Sequence, residues 1–218
     1  MTCKGAIFDM DGLLFDTERI YQETWHELAD KYHVKLADGF TKAISGTSGA
    51  HMCAVIEKYY HVSDGAPIMN ECMECIRKKL ETEVPLKAGV HELLQYFHRE
   101  GVRMAVASSS AIQQIQANLK KSNIIDYFDE IVSGQEVRQG KPAPDIFLYA
   151  AEKIGCKPEE CYVFEDSENG IRAGHAAGCV TVMIPDLIEP VPEIVPLCNN
   201  IYKSLLQVKT DLEQGVLG

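Results

Sequence analysis

Past Pro85 the chain alternates short apolar runs with amphipathic stretches, and no other feature limits its fold as strongly. The spacing predicts helices over 90–100, 111–121, 145–154 and 168–177, with Gly101, Gly155 and Gly178 as stops. Between them, four- to six-residue apolar runs over 102–107, 130–133, 161–164 and 180–184 read as strands. Strands this short and this continuously apolar, alternating with helices, call for a parallel sheet covered on both faces.

An earlier run, 4–9, reads as a further strand, but a long helical block separates it from the rest. Apolar residues at Ile20, Tyr21, Trp25, Leu28, Ala29 and Tyr32 share one helical face. Similar stripes follow at Met52, Val55, Ile56 and Tyr59, and at Ile68, Cys72, Cys75, Ile76 and Leu80. The stretches SGTSG (45–49) and SDGAP (63–67) read as loops between them. The expected architecture is α/β: a doubly wound parallel-sheet, Rossmann-like core formed by 1–15 plus 84–218, with an all-helical insertion over 16–83. The proline-bearing tail after Pro185 reads as a loop leading to a final edge element.

At 218 residues the chain suits one core with a sizeable insertion. No apolar run approaches the ~20 residues that cross a bilayer, and the opening MTCKGAIFDMDG meets an aspartate too early to read as a signal peptide. A net charge of −11 argues against nucleic acid or an anionic membrane as partner. It leaves room for a small anion held by a few local donors. Most of the eight scattered cysteines read as reduced, buried small hydrophobes, and a cytoplasmic monomer is the expected state. Cys72 and Cys75 form a C-x-x-C inside a helical stripe, with no second pair to complete a zinc site.

In an open parallel sheet, ligands bind where the strands end. The first strand ends in Asp9-Met10-Asp11, the second in Ser108-Ser109-Ser110 and the fourth in Glu165-Asp166-Ser167, while the loop after the third carries Lys141 in GKPAPD. Four segments thus bring carboxylates, hydroxyls and an ammonium to one edge. Two carboxylates as close as Asp9 and Asp11 disfavour each other's ionisation unless a cation or a proton is shared. A hard divalent cation, Mg²⁺, would make Asp9 tolerable beside Asp166 and leave positions for phosphate oxygens. The alternative for Ser110 and Ser167 is plain helix capping.

The stretches DMDGLLFDTE, VASSS, GKPAPDIF and FEDSENGIRAGHAAG resemble, in order and context, the four motifs of the haloacid dehalogenase superfamily. The helical insertion after the first motif resembles the subfamily with a four-helix cap, which includes β-phosphoglucomutase and small sugar-phosphate phosphatases. The resemblance implies a phosphotransfer enzyme in which Asp9 is the nucleophile and Asp11 the general acid/base. It implies that Ser108, Ser109 and Lys141 hold phosphoryl oxygens, and that Asp9, Asp11, Glu165 and Asp166 hold Mg²⁺. Its hinges would lie at Asp16-Thr17 and around Val84-Pro85-Leu86, with a cap that closes over the site and selects a small phosphorylated metabolite.

Within that family the β-phosphoglucomutases carry a histidine where this chain has Tyr21 and a cap-loop arginine where it has Gly49. Both departures favour water as acceptor, hence a phosphatase, with the mutase as alternative. Tyr21, Gly46, Thr47 and Ser48 are the candidates for substrate choice; Tyr21 and Trp25 read equally as cap core. A receiver-type signalling module, which also gathers aspartates, a hydroxyl and a lysine, needs neither Asp11 nor the helical insertion. Asp9-x-Asp11-Gly12 fails as a calcium loop because Ile20 occupies the acidic twelfth position.

Overall fold

The structure is a computed structural model and describes residues 3–44, 47, 49–82, 84–186 and 189–217. Six strands, β1 (Gly5–Phe8), β2 (Arg103–Ser108), β3 (Glu130–Ser133), β4 (Cys161–Glu165), β5 (Val180–Met183) and β6 (Asn200–Ile201), form one sheet. Their order is β3-β2-β1-β4-β5-β6, and every pairing is parallel. The crossover helices are α5 (Val90–Arg99), α6 (Ile112–Lys121), α7 (Asp145–Lys153) and α8 (Glu168–Ala176), and α9 (Leu205–Glu213) follows β6; the numbers α1 to α4 belong to the helical insertion described below.

The central strand, GAIF, is buried on both faces, and its side chains divide between two packed layers. Ile7 stands level with Ala105 and Val163, and these three pack with Ile146, Phe147 and Ala150 of α7 and Ala173 of α8. Phe8 points the other way. Its ring stacks on Phe164 of the neighbouring strand at 4.9 Å and meets Phe97 of α5 edge-on at 6.2 Å. Each such buried ring contributes about 1.5–3 kcal/mol over exposure, so the middle of the sheet is the firmest place from which to project a polar group.

The chain divides into two compact units, Met1–Asp16 with Pro85–Gly218, and Thr17–Val84. The second unit holds α1 (Thr17–Lys31), α2 (Phe40–Ile44), α3 (Gly49–Tyr60) and α4 (Ala66–Thr82). Its core gathers Trp25, Phe40, Tyr60, Ile56 and Cys72. The Tyr60 hydroxyl donates to the Trp25 carbonyl at 2.6 Å, and Trp25 is only 1% exposed, so its reading as a core residue is the right one. Tyr21 packs half-buried against the same cluster. Gly46 and Ser48 lie outside the described residues. Thr47 folds its hydroxyl back to the Ile44 carbonyl at 2.7 Å.

In the first unit, the linkers to and from α1–α4 run side by side. The Asp16 N–H donates to the Pro85 carbonyl at 2.8 Å and the Lys87 N–H to the Leu14 carbonyl at 2.9 Å. The Lys87 ammonium pairs with Asp16 at 3.2 Å and also with Asp186.

Two helices depart from the sequence expectation. α2 is five residues with weak intrinsic propensity, held by the burial of Phe40 and Ile44. α9 falls in the stretch read as loop and edge: Ser204 caps it by accepting from Gln207 N–H, and Leu205 and Val208 bury one stripe. The loops at 45–49 and 63–67 are also shorter than expected, since Gly49 and Ala66 already begin helices. No helix of the described residues is long and apolar enough to cross a membrane. All eight cysteines are free thiols.

Candidate active site

The sheet sets the site. Asp9 follows β1 directly, and its N–H continues the ladder to the Phe164 carbonyl at 3.0 Å, so the carboxylate emerges between β2 and β4. Ser108 and Glu165 end those two flanking strands, and both are almost wholly enclosed. Lys141 comes from the loop after β3, in cis linkage to Pro142.

Lys141 is the hub. Its side chain is 7% exposed and its ammonium lies 4.9 Å from the centre of the Phe147 ring. It donates to Asp9 Oδ1 at 2.5 Å, to Glu165 Oε1 at 2.6 Å and to the Ala107 carbonyl at 3.1 Å, which uses all three of its N–H bonds. Burial works against the charge, but Asp9 and Glu165 outweigh it and raise the ammonium's pKa above its ordinary value. Lys141 therefore presents a buried positive charge whose N–H bonds are all engaged within the protein.

The other oxygen of Glu165 accepts from Ser167 N–H at 3.0 Å and Ser167 Oγ at 2.9 Å. Ser167 in turn caps α8 by accepting from Gly170 N–H at 3.1 Å. The capping expectation holds for Ser167 and extends further, because the cap also orients Glu165. Gly170 is obligatory here, since a Cβ on it would fall 1.8 Å from the Glu165 carboxylate.

Asp9, Glu165 and Asp166 each offer an oxygen within 4.8 Å of the others. Burial, and then the charge of Glu165, push the Asp9 carboxyl up to about 7 even though Lys141 opposes the shift. Burial followed by the charges of Glu165 and Asp9 pushes Asp166 up to about 8. Hard, closely spaced carboxylates that resist ionising together are the donor set a divalent cation fits. Gly12 makes the approach possible: at φ +87° its absent Cβ would stand 2.3 Å from Asp166 Oδ2.

Asp11 projects apart from that cluster. Its carboxylate remains open to solvent, while the protein packed around it raises its proton affinity above the ordinary carboxylate range. Ser110 Oγ donates to Asp11 Oδ2 at 3.0 Å. The serine is not a helix cap, because Ala111 occupies that position of α6 and no side chain caps it. Ser109, between the two other serines, faces solvent with Gly134 close behind its Cα. Sequence reasoning passed over Ser133. It ends β3 level with Ser108, is 1% exposed and donates to the Ser110 carbonyl at 2.7 Å. The strand-end rule that marked Asp9 and Ser108 also pointed to it.

The doubly wound α/β sheet thus collects carboxylates, serines and a buried lysine at one strand edge, a donor set of the kind that suits a cation beside an anion. The chain belongs to the haloacid dehalogenase-like hydrolase family, whose pattern matches residues 6–184. It is 30% identical over 177 residues to a phosphorylated carbohydrates phosphatase of Thermotoga maritima, covering 80% of this chain and 82% of that one. It is 33% identical over 175 residues to the fructose-1-phosphate phosphatase of Escherichia coli, covering 80% and 92%. The fold matches that of a haloacid dehalogenase family hydrolase from Deinococcus radiodurans, crystallised with phosphate and sodium, with a TM-score of 0.82. That match spans 99% of this chain and 97% of the other at 23% identity.

Proposed function

We propose that the chain is a Mg²⁺-dependent phosphatase that hydrolyses a small phosphomonoester, a sugar phosphate or related metabolite, through a phosphoaspartyl group on Asp9. The observation that carries this reading is Asp9 itself: a carboxylate at the end of the central strand, neutralised by Lys141 at 2.5 Å, with a second acid two residues on. The phosphatase names of two relatives, at 30% and 33% identity, support the substrate class.

In the first half-reaction Asp9 attacks phosphorus, the bond to the ester oxygen breaks and Asp11 gives that oxygen its proton. In the second, Asp11 takes a proton from water as its oxygen attacks phosphorus and the bond to Asp9 breaks, which releases phosphate and restores both acids. Ser108 and Ser109 orient the phosphoryl oxygens, and Lys141 offsets the charge that builds on them. The cation would be held by Asp9 and Asp166, with the Asp11 main-chain carbonyl and Glu165 adjoining. When bound, it supplies further neutralisation of phosphoryl charge. We assign substrate choice to the helical unit Thr17–Val84, with Tyr21 and the 46–48 segment as its candidates. The free thiols support a cytoplasmic setting.

The test is phosphate release from a panel of phosphorylated metabolites with Mg²⁺ and after chelation. Release that needs Mg²⁺ and vanishes in Asp9→Asn is expected; turnover by that variant overturns the nucleophile. Asp11→Asn should cut turnover far more than substrate binding, and an unchanged rate refutes its acid/base role. Conversion of β-glucose 1-phosphate to glucose 6-phosphate with little free phosphate would make the chain a mutase instead.

A further inference from the structure

The Asp11 carboxylate faces solvent just beyond the end of β1. Its hydroxyl partners come from the end of the next strand, Ser108 and Ser110, and the Ser110 Oγ donates to Asp11 Oδ2 at 3.0 Å. Ser110 is itself fixed at both ends of its peptide. Its N–H donates to Ser108 Oγ at 3.1 Å, and its carbonyl accepts from Ser133 Oγ at 2.7 Å. Ser133 is braced in turn, because its N–H donates to Glu136 Oε2 at 2.7 Å and its hydroxyl accepts from Gln135 N–H at 3.2 Å. A polar chain therefore runs from the buried end of β3, through the end of β2, to the acid that follows β1. The Ser110 hydroxyl is not spent on capping α6, so the bond to Asp11 is its visible task.

We propose that Ser110 is a positioning residue for Asp11. It holds the carboxyl in the orientation that delivers a proton to the departing ester oxygen, and Ser133 braces it from behind. The inference rests on the phosphatase reading and deepens it. No bond to Ser110 forms or breaks; the proton still passes from Asp11 to the leaving oxygen, with Ser110 fixing only the angle. A misaimed acid matters in proportion to how much the leaving group needs a proton. An alkoxide leaves poorly without one, whereas p-nitrophenolate leaves readily as an anion.

The experiment compares Ser110→Ala, Ser110→Thr and Ser133→Ala with the wild-type full chain in Mg²⁺, using fructose 1-phosphate and p-nitrophenyl phosphate. The readout is kcat/KM, which reports transfer to Asp9 and not the later hydrolysis. Ser110→Ala is expected to lose about 10- to 100-fold on the alkyl ester, through kcat with KM little changed, and less than about 3-fold on the aryl ester. Ser110→Thr, which keeps the hydroxyl, should restore the alkyl rate, and Ser133→Ala should give a weaker copy of the same selectivity. Equal losses on both esters, or none, would overturn the inference while leaving the phosphatase reading standing. Where fructose 1-phosphate is not hydrolysed, the best alkyl phosphomonoester of the metabolite panel takes its place, and wild-type protein that releases phosphate from no ester of the panel would overturn both.

Discussion

Replacing Asp166 with Asn should make the cation-free protein more stable. Asp166 sits within reach of Asp9 and Glu165, and its carboxyl is pushed from 3.8 to about 8 by burial and by those two charges. A folded-state value above the unfolded one means that the native protein binds the extra proton. Stability then falls as pH rises from the ordinary carboxylate range toward the folded value. At about 1.4 kcal/mol per tenfold step, the full cost above pH 8 is at most roughly 6 kcal/mol. The carboxyl is only half-buried, and solvent screening brings the expected gain on replacing it down to about 2–3 kcal/mol. The assay is urea unfolding in EDTA at pH 5, 7 and 8.5. The variant should exceed wild type by about a third of that margin at pH 5, where the unfolded carboxyl is already ionised, and by the whole margin at pH 8.5. Added Mg²⁺ should then largely cancel that difference, since cation at about a hundred times its dissociation constant stabilises wild type by ~2.7 kcal/mol and has lost a ligand in the variant. A variant less stable than wild type at pH 8.5 in EDTA would refute the reasoning.

Lys141→Met should be the opposite case. It strands Asp9 and Glu165 without their shared cation, costing about 3–5 kcal/mol in EDTA at pH 8, measured by the same unfolding assay, with no detectable turnover. Gly12→Ala forces a side chain into φ +87° and against Asp166. About 1–2 kcal/mol of backbone strain is expected, and isothermal titration should show weakened Mg²⁺ binding. Tyr60→Phe removes the buried hydrogen bond to the Trp25 carbonyl. It should lower thermal stability by about 1 kcal/mol while leaving kcat on the best substrate unchanged.

The sheet was legible because its central strands, β1, β2 and β4, are buried almost throughout and largely apolar between their ends. For the same reason the residues gathered at one edge could be named from the strand ends, Asp9, Ser108, Glu165 and Asp166, and from the loop after the third strand, Lys141. What escaped were features in which contact, not pattern, decides. α2 exists because Phe40 and Ile44 find the helical core, and five residues of middling propensity announce nothing. α9 carries only a narrow apolar stripe, Leu205 and Val208. Ser110 reads equally as a strand-end hydroxyl and as a helix cap. Only the three-dimensional approach of β1 and β2 reveals its bond to Asp11, and only the register of β3 brings Ser133 behind it.

The charges at the strand edge also imply an order of events. With Asp9, Glu165 and Asp166 ionised and Lys141 protonated, the centre carries three negative charges against one positive. A phosphomonoester dianion approaching it would meet net repulsion in a low-dielectric recess, where a unit pair at about 4 Å already exchanges roughly 4 kcal/mol. A divalent cation brings the sum to zero, after which the dianion faces Lys141 and the cation together. Anion binding should therefore depend on the cation. Inorganic phosphate is expected to raise the melting temperature at pH 8.5 in Mg²⁺ and to leave it unchanged in EDTA. Protonation lifts the restriction in part, because Asp9 and Asp166 hold protons up to about 7 and about 8, so a small phosphate effect should return in EDTA at pH 6. Equal stabilisation by phosphate in Mg²⁺ and EDTA at pH 8.5 would show that the anion is held elsewhere than at this edge.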